Sequence, residues 1–336
     1  MTAPWPVACL LAVLMPVGVA AEVLRVGPGE AFEAPSQAAR AARDGDTVVI
    51  APGEYFDCAV WPQNRIVITG PEDPATPAVL SDTACQGKAL FVVMGQAVTI
   101  RHLTFTRVRV GDGNGAGIRA EGRGLVVAHS RFVNNQSGIL AADQPDDEIA
   151  VLDSRFERNG AVMGPRCVAT LQIGTLARLR IERSVFADAR ACDMVRAWAT
   201  RTEIVDSRFE DGARGAALRM VALAGGSLLV RDSVFARGPM AAADAAIEMR
   251  DLWGEAAVEV RGTVLENASG RPHTLVRHLA PGTVRMEENR LGAGDVALDG
   301  SGLWTTRARS VVGSGVDTVR RVLGKVKRVV RSVLPF

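Results

Sequence analysis

Short stretches of alternating apolar and polar residues recur along most of the chain, and each ends in phenylalanine or leucine. Three clear copies are Val127–Phe132, Val151–Phe156 and Ile204–Phe209. The final residue recurs every 23 to 30 residues, at Phe105, Phe132, Phe156, Phe186, Phe209, Phe235, Leu265 and Leu291. Repetition at this period predicts a solenoid, in which each repeat forms one coil and stacks on the next.

Within each repeat, the positions seven and five before the final residue are apolar, as at Ile149 and Val151, and their neighbours are polar or variable. A period of two predicts a strand with one buried face. The positions three and two before the final residue are often Asp-Ser, as at Asp153 and Ser154. Because such side chains bond to nearby backbone, we expect a bend there. Stacking then predicts a column of serines and a column of phenylalanines.

A second strand follows each phenylalanine, after turn residues such as Asn135 and Gly160. Examples of this strand are Gly117–Ala120 and Ala217–Met220. Two strands and a short third, in a repeat of about 25 residues, are too few for a four-stranded propeller blade, and the repeat lacks the helix of a leucine-rich repeat. The sequence therefore predicts an all-β protein built as a parallel β-helix.

The segment Asp44–Tyr55 resembles the opening coil of right-handed parallel β-helix proteins of the pectate-lyase-like superfamily. The later repeats resemble its generic coil, and the resemblance covers about residues 25 to 300. It implies a single-stranded right-handed β-helix. That superfamily includes lyases, hydrolases, epimerases and binding proteins that act mostly on polysaccharides, and fold alone does not carry function. For a lyase or epimerase, the resemblance implies a cleft along one parallel sheet, an Arg or Lys base, and carboxylates that bind Ca²⁺.

Composition divides the chain into four parts. Residues 1–21 hold an apolar run followed by Ala20 and Ala21, which is typical of a cleaved signal peptide; a membrane anchor is the alternative. Residues 22–45 hold a strand and an alanine-rich helix, Glu30–Arg43, that we expect to cap the first coil. Residues 46–305 form the predicted β-helix, and residues 306–336 a linker and a second helix. A signal peptide predicts a secreted, periplasmic or cell-envelope protein.

Four cysteines follow the predicted signal peptide. Cys58 and Cys85 are 27 residues apart, and Cys167 and Cys192 are 25 residues apart, close to one repeat in each case. Residues one coil apart lie about 4.8 Å from each other, within the range that a disulfide spans. We therefore expect Cys58–Cys85 and Cys167–Cys192 disulfides in an oxidising compartment. Four buried thiols are the alternative.

The C-terminal segment is strongly basic, although the formal net charge of the chain is only +2. Between Val316 and Leu334 the apolar residues recur about every 3.6 residues. Six cations lie mostly opposite them: Arg320, Arg321, Lys325, Lys327, Arg328 and Arg331. This pattern predicts a basic amphipathic helix that binds an anionic membrane surface or caps the last coil. The rest of the chain is mildly acidic, which argues against a nucleic-acid partner.

The second strands place one column of mostly polar residues on the outer face of the solenoid. Its members are Arg119, Leu140, Gln172, Arg196, Arg219, Glu248 and Arg277, with Glu121, Trp198 and Arg250 two residues further along their strands. A row of guanidinium groups beside an indole suits an extended anionic sugar chain, because arginine binds carboxylates in a fork and tryptophan stacks on sugar faces. The alternative is a solvated face whose arginines pair with acids of neighbouring coils.

The resemblance assigns candidate roles within this column. Arg196 or Arg219 is the candidate base, with Asp193 as the accompanying carboxylate. The candidate substrate-binding residues are Arg119, Gln172, Trp198, Glu248 and Arg277. Calcium enters only if the protein is a lyase.

Several sets of catalytic residues are absent from the sequence, including the three aspartates of a polygalacturonase, a phosphate-binding loop, a nucleophile elbow and a spaced Cys/His zinc set. Asp146 and Asp147 follow a turn-like segment, which predicts that they lie in a turn. His102 and His129 share the turn column, and two ligands are too few for a metal, so no metal site is predicted.

Three hypotheses for function follow. The protein binds an acidic polysaccharide with little or no catalysis; it is a polysaccharide lyase or epimerase with an arginine base; or it is a structural envelope protein that acts through its basic tail.

Overall fold

The structure is a computed structural model that describes residues 21–241, 243–250 and 256–300. Over these residues the chain forms one helix, α1 (Pro35–Ala41), and 31 strands. The strands of the first half are β1 (Val23–Val26), β2 (Thr47–Ile50), β3 (Gly53–Tyr55), β4 (Ala59–Trp61), β5 (Val67–Thr69), β6 (Ala78–Ser81), β7 (Ala89–Val93), β8 (Thr99–Arg101), β9 (Leu103–Thr106), β10 (Ala116–Ala120), β11 (Val126–Ala128), β12 (Arg131–Val133), β13 (Ser137–Ala141), β14 (Gln144–Leu152) and β15 (Arg155–Glu157). The strands of the second half are β16 (Ala161–Met163), β17 (Arg166–Val168), β18 (Leu171–Glu182), β19 (Val185–Ala187), β20 (Val195–Val205), β21 (Arg208–Glu210), β22 (Val221–Leu223), β23 (Ser227–Arg231), β24 (Val234–Arg237), β25 (Ala245–Met249), β26 (Ala256–Arg261), β27 (Val264–Asn267), β28 (Thr274–His278), β29 (Gly282–Glu287), β30 (Arg290–Leu291) and β31 (Val296–Gly300).

Nearly all of these strands pair in parallel with the equivalent strand of the next coil. One sheet has ten strands, β3, β6, β9, β12, β15, β19, β21, β24, β27 and β30. The other sheet consists of two stacks of parallel strands, which we call runs. The long strands β18 and β20 belong to both: β18 pairs with β13 of one run and β14 of the other, and β20 pairs with β22 of one and β23 of the other. The exception is the antiparallel hairpin β16–β17. The structure therefore confirms a parallel β-helix, with about ten coils.

A column of stacked phenylalanine rings fills the interior. From Phe105 to Phe235, successive rings lie 4.6 to 5.0 Å apart and are nearly parallel. Glycine on the second strand makes room for the column, since a Cβ on Gly138 would lie 2.6 Å from Cδ1 of Phe156. The predicted phenylalanine column is thus confirmed, with a glycine opposite Phe132 and another opposite Phe156.

The predicted bend and serine column are also present. Residues three before the phenylalanine have positive φ, 48° at His129 and 47° at Asp153. Each serine then connects two coils: the amide of Ser130 donates to Oγ of Ser154 at 3.2 Å, and the amide of Ser154 donates to Oγ of Ser184 at 3.1 Å. These bonds satisfy buried backbone amides at the bend, where the chain makes no regular hydrogen bonds between strands.

Two asparagines on successive coils, which the sequence predicted only as turn residues, support the other corner. The amide of Asn135 donates to Oδ1 of Asn159 at 2.9 Å. Nδ2 of Asn135 donates to the carbonyl of Phe105 at 2.9 Å, one coil away. The side chain therefore takes the place of a ladder bond where the chain turns.

The helix α1 covers the first coil, as predicted, but it is shorter than the predicted range. It begins at Pro35, since proline suits the first helical turn, and it ends before Ala42, which is extended. Gln63 holds the helix end, because its Nε2 donates to the carbonyls of Ala39 and Ala42 at 2.7 and 3.0 Å. No described helix is long and apolar enough to cross a membrane.

Both predicted disulfides are present. The Cα atoms are 5.4 Å apart in Cys58–Cys85 and 5.5 Å apart in Cys167–Cys192. The predicted signal peptide, apart from Ala21, lies outside the described residues, and so does the predicted basic helix within 306–336. The export signal and the tail therefore stay predictions.

Candidate functional site

The candidate site lies on the outward side of the run that contains β10, β13, β18, β20, β22, β25 and β28, which we call the arginine face. Along each strand of this run, inward and outward residues alternate. The inward residues, such as Ile173 and Ala197, belong to the core, and the residue before each of them points outward. In register, the outward column reads Arg119, Leu140, Gln172, Arg196, Ala222, Glu248, Arg277 and Asp299.

The register corrects the predicted column at one position. Arg196 pairs with Ala222, whereas Arg219 lies before β22 rather than within a strand. The predicted strand Ala217–Met220 is wrong because Ala217 and Met220 are both fully buried at a spacing of three residues. A regular strand does not place residues at that spacing on one face.

Arg219 nevertheless reaches the site through a chain of ion pairs. The carboxylate of Asp193 is fully buried; its Oδ2 accepts Nε of Arg196 at 2.8 Å and its Oδ1 accepts Nε of Arg219 at 2.9 Å. Oε1 of Glu248 accepts Nη1 of Arg219 at 2.5 Å and Nε of Arg250 at 2.7 Å. Three guanidinium groups thus alternate with two carboxylates, and the cluster carries an excess of positive charge.

The ion pairs stabilise the charged forms of Arg219 and Glu248. Burial acts to lower the pKa of Arg219, but its contacts with Asp193 and Glu248 outweigh burial and raise that pKa. Burial acts to raise the pKa of Glu248, but its contacts with Arg250 and Arg219 outweigh burial and lower it. Arg219 therefore keeps its proton and Glu248 its charge, which favours a binding role for Arg219 over proton abstraction.

A cavity of about 260 Å³ opens beside these side chains. It is lined by Arg196, Ala197, Trp198, Arg219, Ala222, Leu223, Ala224 and Arg250. The small side chains of Ala222 and Ala224 leave the space, and the guanidinium groups and the half-buried indole of Trp198 surround it. Ala222 and Ala224 were not predicted as site residues; the sequence signal for them was a pair of small residues within an otherwise regular repeat.

The other predicted binding residues lie further along the arginine face. Nε of Arg119 lies 3.3 Å from Oε1 of Glu121, which also accepts Nζ of Lys88 at 2.7 Å. Gln172 neighbours Arg196 in register.

At the far end, Arg277 binds both oxygens of Asp244, at 2.7 Å each. The structure therefore brings Arg196, Arg219, Trp198, Asp193 and Glu248 together. Arg277 neighbours Glu248 in register but does not line the cavity, and Arg119 lies apart. Each of the predicted arginines pairs with a carboxylate. Arg219 and Arg277 do so across coils, as the alternative interpretation expected, whereas Arg119 and Arg196 pair with acids of their own coil.

Two further predictions concern metal ions. His102 and His129 stack at 4.9 Å with nearly parallel rings, and the described residues contain no group of three or more His, Cys, Asp or Glu side chains arranged as metal ligands. Calcium takes six to eight oxygen ligands, whereas the carboxylates beside the cavity, Asp193 and Glu248, are each bound by two guanidinium groups. The cavity does not fit calcium.

The predicted turn at Asp146 and Asp147 is wrong, because both residues lie in strand β14. Asp147 is buried, and its Oδ1 accepts the amide of Gly124 at 2.6 Å. This carboxylate satisfies a backbone donor of the preceding coil, a role that an isolated Asp-Asp pair in a sequence does not reveal.

No protein-family model matches the chain, and no curated protein does either. Among solved structures, the chain is similar to an alginate lyase from Paenibacillus sp. str. FPU-7, with a TM-score of 0.59 and 13% identity over 85% of this chain and 99% of that one. It is also similar to the PL6 family alginate lyase AlyGC, with a TM-score of 0.55 and 16% identity over 81% of this chain and 40% of that one. A third similar structure is ORF18 of Geobacillus virus E2, with a TM-score of 0.52 and 13% identity over 78% and 54% of the two chains. At these identities the likeness establishes the fold, and the chain is a parallel β-helix protein.

Proposed function

We propose that this protein is exported and binds an extended acidic polysaccharide along the arginine face, without cleaving it. The cavity between Arg196, Arg219 and Arg250 carries the proposal, because it combines excess positive charge with an indole ring at an open surface. Guanidinium groups bind sugar carboxylates in a fork, and Trp198 offers a flat surface for a sugar ring.

The ion pairs prepare the site for this ligand. The side chains of Arg196 and Arg219 are only 24% and 15% exposed, and buried Asp193 holds both. Binding therefore costs little further side-chain entropy, which is the main benefit of a preorganised site. Because coils stack about 4.8 Å apart, an extended polymer meets protein contacts at regular intervals along the face.

The same ion pairs support binding rather than cleavage. A lyase or epimerase needs a group that takes a proton from the sugar, and a base works best with a pKa near the working pH. Arg219 has its pKa raised by Asp193 and Glu248, against the effect of burial. A paired guanidinium holds charge well and abstracts protons poorly.

Two of the solved structures with this fold are alginate lyases by name, so alginate is the first polymer to test. Titration calorimetry of the full chain with oligomers of alginate and of polygalacturonate is expected to show binding, and neutral dextran none. The same mixtures are expected to develop no ultraviolet absorbance from unsaturated sugars. Absorbance that grows with time would instead establish lyase activity, and silence with every acidic polymer would refute the proposal.

Two matched variants locate the binding site. Arg250 and Arg285 each contact a glutamate two residues away at 2.7 Å, and their side chains are 57% and 55% exposed. They differ in position, since only Arg250 lines the cavity. Arg250→Ala is expected to weaken binding about fivefold, and Arg285→Ala to leave it unchanged. Equal losses would mean nonspecific charge attraction.

A further inference from the structure

The guanidinium group of Arg196 contacts the Cys167–Cys192 disulfide as well as Asp193. Its Nη2 donates to Sγ of Cys192 at 2.9 Å and lies 3.9 Å from Sγ of Cys167. Its Nη1 donates to the carbonyl of Cys167 at 3.1 Å, and its Nε donates to Asp193 at 2.8 Å. The group is therefore held between a carboxylate on one side and the disulfide on the other.

The disulfide joins two segments that the parallel coils do not join at this point. Cys167 lies on β17 of the antiparallel hairpin, outside the stack of coils. Cys192 directly precedes Asp193 and has a φ of +66°, in the left-handed region that residues with a Cβ adopt at a cost. The cross-link thus fixes both a strained residue beside Asp193 and the carbonyl that Arg196 binds.

We propose that the Cys167–Cys192 disulfide positions Arg196 for ligand binding, so that it determines the affinity of the cavity as well as the stability of the fold. This inference rests on the proposed function. Sulfur is a weak acceptor, so much of the effect comes through geometry. Without the cross-link, the carbonyl of Cys167 and the hairpin are free to move away from the guanidinium group, and Arg196 loses one of its two supports.

The second disulfide is a natural control. Cys58–Cys85 has almost the same Cα separation, 5.4 against 5.5 Å, and closes a similar length of chain, 27 against 25 residues. The chain-entropy contribution of the two bridges is therefore similar. Cys85, however, packs against the apolar residues Ala89, Val92, Ala116 and Leu140 rather than lining the cavity.

The main experiment compares two double variants of the full chain, Cys167→Ser with Cys192→Ser, and Cys58→Ser with Cys85→Ser. The first pair is expected to weaken binding of an alginate oligomer about tenfold, and the second pair to leave it within about twofold. Removing Cys167–Cys192 in an Arg196→Ala background is expected to have no further effect. Equal losses for both pairs, or a full loss in the Arg196→Ala background, would overturn the proposal.

A variant that keeps both disulfides covers the case in which the cross-link is needed for folding. Arg196→Lys preserves the charge but removes the fork that binds Cys167 and Asp193 together. It is expected to bind alginate about as weakly as the disulfide variant. Unchanged affinity in Arg196→Lys would contradict a positioning role.

A measurement without ligand separates this inference from the proposed function. Phenylglyoxal modifies accessible arginines, and peptide mass spectrometry follows each site. Opening Cys167–Cys192 is expected to increase the modification rate of Arg196 several-fold and to leave that of Arg277 unchanged. If the protein binds no acidic polymer, the proposed function fails, yet this rate still decides whether the disulfide positions Arg196. An unchanged rate at Arg196 would refute it.

Discussion

The two halves of the arginine face share one backbone geometry and differ in chemistry. In the first half, the outward residues Val92 and Leu140, which flank Arg119 in register, are buried in a small apolar cluster against which Cys85 packs. In the second half, the equivalent positions are Arg196, Ala222 and Glu248; Arg196 and Ala222 line an open cavity, and Glu248 binds two of the arginines that line it. The coil sets only where an outward side chain lies, and the residue at that position decides between structural packing and a binding surface.

The disulfides follow the same division. Cys58–Cys85 fastens a segment that packs on apolar residues, whereas Cys167–Cys192 contacts a charged group. One disulfide therefore packs on apolar side chains, whereas the other contacts Arg196, which lines the cavity.

The largest expected effect comes from placing a new carboxylate in each half. Leu140→Asp buries a carboxylate in the covered half, where the neighbouring Arg119 is already bound by Glu121, and is expected to lower the free energy of unfolding by about 3 kcal/mol. Ala222→Asp places the same group beside Arg196 and Arg219, and the loss is expected to be below about 1 kcal/mol. Urea denaturation measures both, and similar losses would show that the two halves are equally covered.

A smaller effect is expected from neutralising the carboxylate that bridges two cations in each half. Asp193 is fully buried between Arg196 and Arg219, whereas the side chain of Glu121 is 20% exposed between Lys88 and Arg119. Asp193→Asn is expected to cost about 2 kcal/mol of unfolding free energy and to weaken alginate binding. Glu121→Gln is expected to cost less than about 1 kcal/mol and to leave binding unchanged, which calorimetry and denaturation test together.

The smallest expected effect is a change in pH dependence. Because the pKa of Glu248 is lowered in the folded protein, with Arg250 and Arg219 outweighing burial, its stabilising contribution is present above the unfolded pKa of about 4.3. That contribution is lost as the pH falls through the lower folded pKa. In Glu248→Gln, unfolding free energy is expected to fall less steeply below about pH 4, by at most about 1.4 kcal/mol per pH unit.

Glu266→Gln is the control for this measurement, because the side chain of Glu266 is 52% exposed on the outer surface. Its pH profile is expected to match that of the unchanged protein. A steeper profile for Glu248→Gln would mean that the Arg219 and Arg250 contacts do not stabilise the ionised carboxylate.

The features that depend on the repeat period were predictable from the sequence. The phenylalanine column, the serine column and both disulfides follow once residues one period apart are placed side by side. Each of these predictions needs only the spacing of identical residues, which a stacked coil converts directly into contacts.

The cavity was not predictable in the same way. Leu218 and Met220 flank Arg219 with the alternation of a strand, yet the chain is irregular there and the strand begins at Val221. This shift moves Arg219 out of the column and puts Ala222 into it. The ion pairs of Asp193 then depend on the path of the chain before β20 and β22, which residue spacing alone does not specify.

The nearly parallel rings from Phe105 to Phe235 give the interior coils one shared ring-on-ring contact. A duplication or excision of one whole coil, for example residues 133–156, joins equivalent ends and restores the same ring contact. Such a change would lengthen or shorten the solenoid by one coil and leave the residues around the cavity unchanged.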